Sequence, residues 1–133
     1  MCHARESTLW PTSPKVRADA DRWMDWANST LWPTLIPLFR AIMRTPEAQR
    51  DLHAIEAARL QSFTVLQVLD AHLASSKFVG GPAFTMADSA VGCAVWRWFA
   101  LPVERPALSQ LQRWFDTLAA RNAYRTLVML PLT

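Results

Sequence analysis

Three glycines are all that punctuate this 133-residue chain, and two of them, Gly80 and Gly81, are neighbours. Tight hairpins, dinucleotide fingerprints and phosphate-cradling loops need glycine for positive φ and close backbone approach. No glycine spacing here fits any of them. Runs rich in Val, Ile and Thr between turn signals, the mark of strands, are also missing. The chain is 51% hydrophobic and 19% charged, enough apolar content for one packed core and none of the bias of a disordered segment. The expectation is one all-α domain.

Caps and prolines divide the chain into about five helical segments. Ser13-Pro14 pairs an N-cap residue with Pro at the first helical position, and Val16, Ala20, Trp23, Met24, Ala27 and Leu31 follow at helical spacing. Pro33 and Pro37 then remove two backbone donors and are expected to bend or break the helix before Phe39, Ile42 and Met43. Thr45-Pro46-Glu47 repeats the opening grammar for a second, long segment reaching about Ser75, with Leu52, Ile55, Phe63, Leu66, Leu69 and Leu73 on its buried face. A third segment starts at Thr85-Met86-Ala87-Asp88, a capping box in which Thr85 and Asp88 satisfy each other's backbone donors. The residues after it, to Phe99, are small and apolar nearly all round, so this helix is expected at the centre, and Asp88→Ala should cost about 1–3 kcal/mol if its end is buried. Leu108, Leu111, Trp114, Phe115 and Leu118 mark the fourth segment, and a short fifth runs from Ala123 to Met129, before Pro131.

Fourteen basic residues, twelve of them Arg, face eleven acidic ones for a net charge of +3. The two signs alternate at helical spacing, which reads as a solvated face of close pairs and points away from a nucleic-acid stripe. No apolar run is long enough to span a membrane, and the first ten residues lack the centre of a signal peptide. Cys2 and Cys93 are too few for a disulfide framework; Cys93 reads as a small core residue of a reduced, cytoplasmic protein. His53 and His72 have no partner three or four residues away, so they read as surface or boundary residues and no metal is expected. Cys2-His3 is a terminal pair, and Tyr124 reads as a packing residue.

The run FVGGPAFTMADSAVG resembles the C-terminal helical domain of the cytosolic glutathione transferases, where a Gly-containing loop precedes a Ser/Thr-x-x-Asp box on the core helix. Leu9-Trp10-Pro11 with Ser13-Pro14 resembles that family's interdomain linker. Arg22 to Trp26 through Pro33 resembles its first C-domain helix, and Trp114-Phe115 with Ala120 to Tyr124 its closing segment. The likeness covers about residues 8 to 130. Asn122 and Ser109 stand where the family often has Pro, and Ser89 leaves the hydrophobic staple of Phe84 incomplete.

The resemblance implies a boundary near residue 13: residues 1–13 as the end of a thioredoxin-like domain plus linker, with Met1–Arg5 its last turn, and residues 14–133 as the helical domain. Glu6-Ser7 lies too late in the order to be the family's glutathione-holding acidic-Ser pair. It further implies glutathione as co-substrate of the full-length family and none bound by this chain. The chain would supply the wall for a hydrophobic small molecule and much of a homodimer surface. It would be inactive without its thioredoxin-like partner domain, so no catalytic residue is assigned. Trp23 and Trp114 read as core, Trp10 as an interdomain plug. By position in the family, Trp26, Asn28 and Trp32 on the first helix and Arg97 and Trp98 on the third would face the co-substrate cleft. Trp96 also falls outside the main stripes. The alternative is a stand-alone helical interaction module without catalytic activity.

Overall fold

The computed structural model describes residues 9–132. The expectations for Met1–Arg5, Cys2-His3 and Glu6-Ser7 lie outside the described residues. Six α-helices follow in order: α1 (Pro14–Trp26), α2 (Trp32–Met43), α3 (Leu52–Leu73), α4 (Met86–Ala100), α5 (Ser109–Ala119) and α6 (Asn122–Leu127). Among the described residues there is no β-strand, only a bridge between Phe78 and Gly81 in the loop before α4. No helix of these is long and apolar enough to cross a membrane.

The prolines do not break the first rod. A π-helical turn, Ala27–Leu31, joins α1 to α2, and Trp32 N–H donates to Ala27 carbonyl five residues back. Pro33 has no N–H, and its ring would crowd the carbonyl four residues earlier; the wider turn makes that room. The buried stripe Ala20, Trp23, Ala27, Leu31, Leu35, Leu38 and Ile42 passes straight through it. Ser13 holds the cap position of α1, but its side chain makes no cap bond.

The second segment begins later than its Thr-Pro pair suggests. Glu47–Gln49 form one 3-10 turn, Arg50 is extended, and the working cap is Asp51, whose carboxylate accepts from His53 N–H and Ala54 N–H at 3.0 and 3.1 Å. Leu52, expected on the buried face, lies at the exposed start of α3. Farther along, Ser62 is fully buried beside inward-facing Ala58, Leu66 and Leu69, and its hydroxyl has no partner. A buried hydroxyl without a bond costs desolvation for nothing in return, so Ser62→Ala should stabilise the domain by about 1 kcal/mol. The check is a higher urea midpoint with an unchanged slope.

The central helix is α4, with Met86, Ala87, Val91, Gly92, Ala94, Val95 and Trp98 all buried. Gly92 is a close-packing point, since a Cβ there would stand 2.9 Å from Leu118 and 3.0 Å from Tyr124. The α4 entrance is completely provided for. Met86 N–H donates to Leu9 carbonyl at 3.0 Å, which ties the linker to the core helix. Thr85 Oγ1 accepts from Ala87 N–H at 3.3 Å, and Asp88 Oδ2 accepts from Thr85 N–H at 2.9 Å, closing the box. The staple lacking at Ser89 is replaced: Phe84 packs edge-on against Phe78 and carries the Arg121 guanidinium 3.9 Å over its ring.

Helix ends are closed by side chains from elsewhere. Asp70 of α3 accepts from Leu111 N–H at 2.8 Å and so caps α5, where Ser109 starts the helix without Pro. Arg50 donates to Ile42 carbonyl at the end of α2 (2.7 Å), and Arg105 to Leu101 carbonyl at the end of α4 (2.7 Å). Arg113 donates to Leu73 and Ser76 carbonyls at the end of α3, at 2.9 and 3.2 Å. Among the described residues the ion pairs are Arg22–Asp19 and Arg59–Glu56, each three residues apart, so much of the arginine complement closes helices and does not pair with acids.

Candidate functional site

Two helices and the terminal segment line a half-open cavity of about 390 Å³. On α2, Trp32 and Phe39 stand two turns apart, hence on one face. On α4, Cys93, Trp96 and Arg97 share a face by their spacing of three and four. Leu127 at the end of α6 and the chain crossing beyond it, Val128, Leu130, Pro131 and Leu132, complete the lining. Trp96 holds that crossing segment, its Nε1–H donating to Leu130 carbonyl at 3.0 Å.

Polar geometry in the cavity centres on Arg97. Its Nη1 donates to Cys93 carbonyl at 3.0 Å, and its guanidinium carbon lies 5.0 Å from the centre of the Trp32 ring. The ring's negative face stabilises the cation where water is partly excluded. Burial pushes the Cys93 thiol up, with the Arg97 charge pulling the other way. Behind the wall Tyr124 is buried and donates to Gly92 carbonyl at 2.8 Å; burial, with Cys93 adding to it, raises its phenol well above the usual range. Tyr124 therefore packs, as its place in the closing run suggests. These groups can bind and orient an apolar molecule; none is poised to take a proton near neutral pH.

Of the five cleft residues read from the sequence, the structure brings together Trp32 and Arg97. Trp98 goes elsewhere: it is 1% exposed. Its position extends the inward stripe Val91, Ala94, Val95, and a ring of that size on a core-facing stripe belongs to the core. Trp26 is half-buried and stands edge-on to Trp23, their centres 5.1 Å apart, while Trp23 lies over His72 at 4.4 Å. Asn28 is exposed on the π turn. His72 Nε2 bonds Val79 carbonyl at 2.7 Å, a boundary role. Cys93, read as core, is half-buried and lines the cavity. Phe39 and the tail were absent from that reading as site residues; the two-turn spacing from Trp32 and the apolar residues flanking Pro131 are the signals that carry them. Among the described residues no three His, Cys, Asp or Glu side chains gather as a metal set.

A second groove, about 340 Å³, lies at the linker between Trp10, Pro11, Val16 and Pro82. Trp10 is 50% exposed, with the Arg17 guanidinium 5.1 Å over its ring.

Residues 53–117 match the family model for the glutathione S-transferase C-terminal domain. The chain is 35% identical to glutathione S-transferase GstB of Escherichia coli over 128 residues, which is 96% of this chain and 62% of that protein. It therefore spans about three-fifths of that relative's length. A theta class glutathione S-transferase from Xanthomonas axonopodis pv. citri, solved in apo form, superposes with a TM-score of 0.91 at 44% identity, covering 94% of this chain and 66% of the other. That enzyme has also been solved with glutathione bound. A more distant likeness, 27% over 106 residues, joins 77% of this chain to 8% of a valine–tRNA ligase of Takifugu rubripes.

Proposed function

This chain belongs to the glutathione S-transferase C-terminal domain family, and we infer that its α2–α4–tail cavity is the wall that receives the apolar co-substrate in glutathione conjugation. The observation that carries this is the half-open lining itself, Trp32, Phe39 and Trp96 around one cation in about 390 Å³, within the size range of a small-molecule site. The thiolate of glutathione would be held and activated on a thioredoxin-like domain. This chain's contribution is then positional. Aromatic faces hold the electrophile where the sulfur can attack, turning an encounter in solution into a near-attack geometry. With a chlorinated aromatic, a carbon–sulfur bond forms and chloride leaves. Trp10 and its groove offer the thioredoxin-like domain an apolar contact at the linker. A second copy would meet the uncharged strip that Ser29, Thr30, Thr34, Gln61 and Thr64 form beside exposed Leu60.

The chain by itself should give no conjugation of chlorodinitrobenzene with glutathione, and joined behind a thioredoxin-like glutathione-binding domain it should. In the joined protein Trp32→Ala is expected to raise KM for the electrophile about tenfold, from the lost aromatic contact, with KM for glutathione unchanged. Turnover by the chain alone would overturn the division of labour. An unchanged electrophile KM would overturn the cavity assignment. A joined protein that binds glutathione but turns over no electrophile would select the alternative, a helical interaction module without catalysis.

A further inference from the structure

Another half-open cavity, of about 310 Å³, lies between the last turn of α4 and the first turn of α5, with Phe99, Leu108 and Leu111 among its walls. It shares no residue with the co-substrate cavity and does not depend on that reading. Donors without acceptors meet there. Trp98 lines it and is 1% exposed, and among the described residues its Nε1–H has no acceptor. The polar side-chain atoms sealed away without a partner are Trp23 Nε1 and Ser62 Oγ. The Trp98 nitrogen is not one of these, so what remains of that ring's exposure includes its N–H, which opens on the cavity. Arg105 commits only Nη1, to the carbonyls of Trp98, Leu101 and Val103 at 3.3, 2.7 and 3.3 Å. Among the described residues its Nε and Nη2 are uncommitted, and no carboxylate pairs with it or lines the cavity. Helix α5 opens on Leu108, whose side chain cannot cap. Asp70 takes Leu111 N–H and Leu108 carbonyl takes Gln112 N–H, but Ser109, where the family often has Pro, keeps its N–H and hydroxyl. A buried indole N–H without an acceptor costs free energy that a ligand oxygen would restore. A guanidinium beside a helix start favours a carboxylate.

We propose that this cavity is a binding site for a short aliphatic oxo acid. Its carboxylate sits on Arg105 and the Ser109 start of α5, its oxo oxygen accepts from Trp98 Nε1–H, and its alkyl chain lies against Phe99, Leu108 and Leu111. Arg105 Nη1 already reaches the Trp98 carbonyl, so both polar ends fall within the span of one small molecule. The deep donor is a single neutral N–H away from bulk water, which suits a carbonyl oxygen and disfavours a second charge.

The test titrates 4-methyl-2-oxopentanoate into the chain and follows the indole N–H signals of its seven Trp by nuclear magnetic resonance. Trp98→Phe identifies the Trp98 signal by its loss. In the wild type that signal is expected to shift and saturate. The same acid without the oxo oxygen, 4-methylpentanoate, and the ketone without the carboxylate, 4-methylpentan-2-one, are each expected to bind about tenfold more weakly, the margin of one such hydrogen bond. Ser109→Pro removes an N–H and a hydroxyl where Pro is compatible with a helix start, since Leu108 before it is extended (φ −126°, ψ 91°). It should weaken the oxo acid about tenfold at an unchanged urea midpoint, while the ketone binds as before. Equal affinity for the three compounds, or for wild type and Ser109→Pro, would overturn the site. So would a shift confined to other indoles, such as Trp32 and Trp96, which would move the ligand to the co-substrate cavity and leave that reading intact. No saturable shift at all would overturn it too, with water the only partner of the Trp98 N–H.

Discussion

Asp88→Ala should destabilise the domain by about 3–5 kcal/mol, more than a capping box alone explains, because it strands several buried donors at once. Oδ2 accepts from Thr85 N–H at 2.9 Å, while Oδ1 accepts from Val79 N–H at 2.9 Å and from Trp114 Nε1–H at 2.7 Å. One fully buried carboxylate thus joins the loop before α4, the α4 entrance and α5. Without it, three N–H groups face a dry hole. Asp88→Asn is expected to cost less, about 1–3 kcal/mol: the amide oxygen can keep Val79 and Trp114, but its NH₂ then confronts Thr85 N–H. Urea unfolding followed by circular dichroism ranks the two. Equal small losses would mean that the bonds to Val79 and Trp114 contribute nothing.

The same residue has a pH signature. Burial pushes the Asp88 carboxyl up, and the bonds from Thr85, Val79 and Trp114 pull it back only in part. A folded-state value above the unfolded one means that the folded chain holds the proton longer. The associated stability is fully present below the ordinary carboxylate value and is lost as the pH rises through the raised one. Unfolding series across that window should show this component in the wild type and not in either variant.

Two tryptophans on neighbouring helices should respond in opposite ways to truncation. Trp98→Ala removes a 1% exposed ring from the core and should cost about 3–5 kcal/mol, lost transfer energy plus the cavity left behind. Trp32 is half-buried against Arg97, and Trp32→Ala should cost under about 1.5 kcal/mol while raising the electrophile KM of the joined protein about tenfold. Measuring denaturant midpoint and electrophile KM for both variants separates the two roles. A Trp98→Ala protein of near wild-type stability would return Trp98 to the cleft and contradict the packing described above.

These pairs also show what the sequence made legible. The all-α class, the rods and the box at Thr85 and Asp88 follow from local rules of period, capping and glycine use, and those rules act within a few residues. The meeting of Trp32 and Arg97 across α2 and α4 agrees with the family pattern, which sets both on one cleft. Trp98 packs into the core, and α4 is apolar on nearly every side, so its own sequence does not say which face meets the core. That is decided by the stripe Val91, Ala94, Val95 and by the helices laid against it. The Asp88 bonds to Val79 and Trp114, the Asp70 cap of α5 and the tail crossing at Leu130 join residues far apart in the chain. No local pattern encodes them. Thr45-Pro46 misled in a different way: a sound helix-opening signal was outcompeted by Asp51, whose carboxylate could reach two backbone donors.

The three arginines at the ends of α2, α3 and α4 change how the chain should behave as its solvent changes. A helix usually terminates through a glycine that turns the backbone back on itself, and with so few glycines this chain closes those ends with guanidinium groups from other segments. Such a closure is a short-range contact between a cation and carbonyl dipoles. Mobile ions screen fields acting across a Debye length, about 8 Å at physiological strength, and have little hold on a hydrogen bond of 2.7 Å. Concentrated salt should therefore leave the architecture standing. The formal +3 likewise overstates what approaching molecules meet, because part of that positive charge is turned inward as mortar between helices.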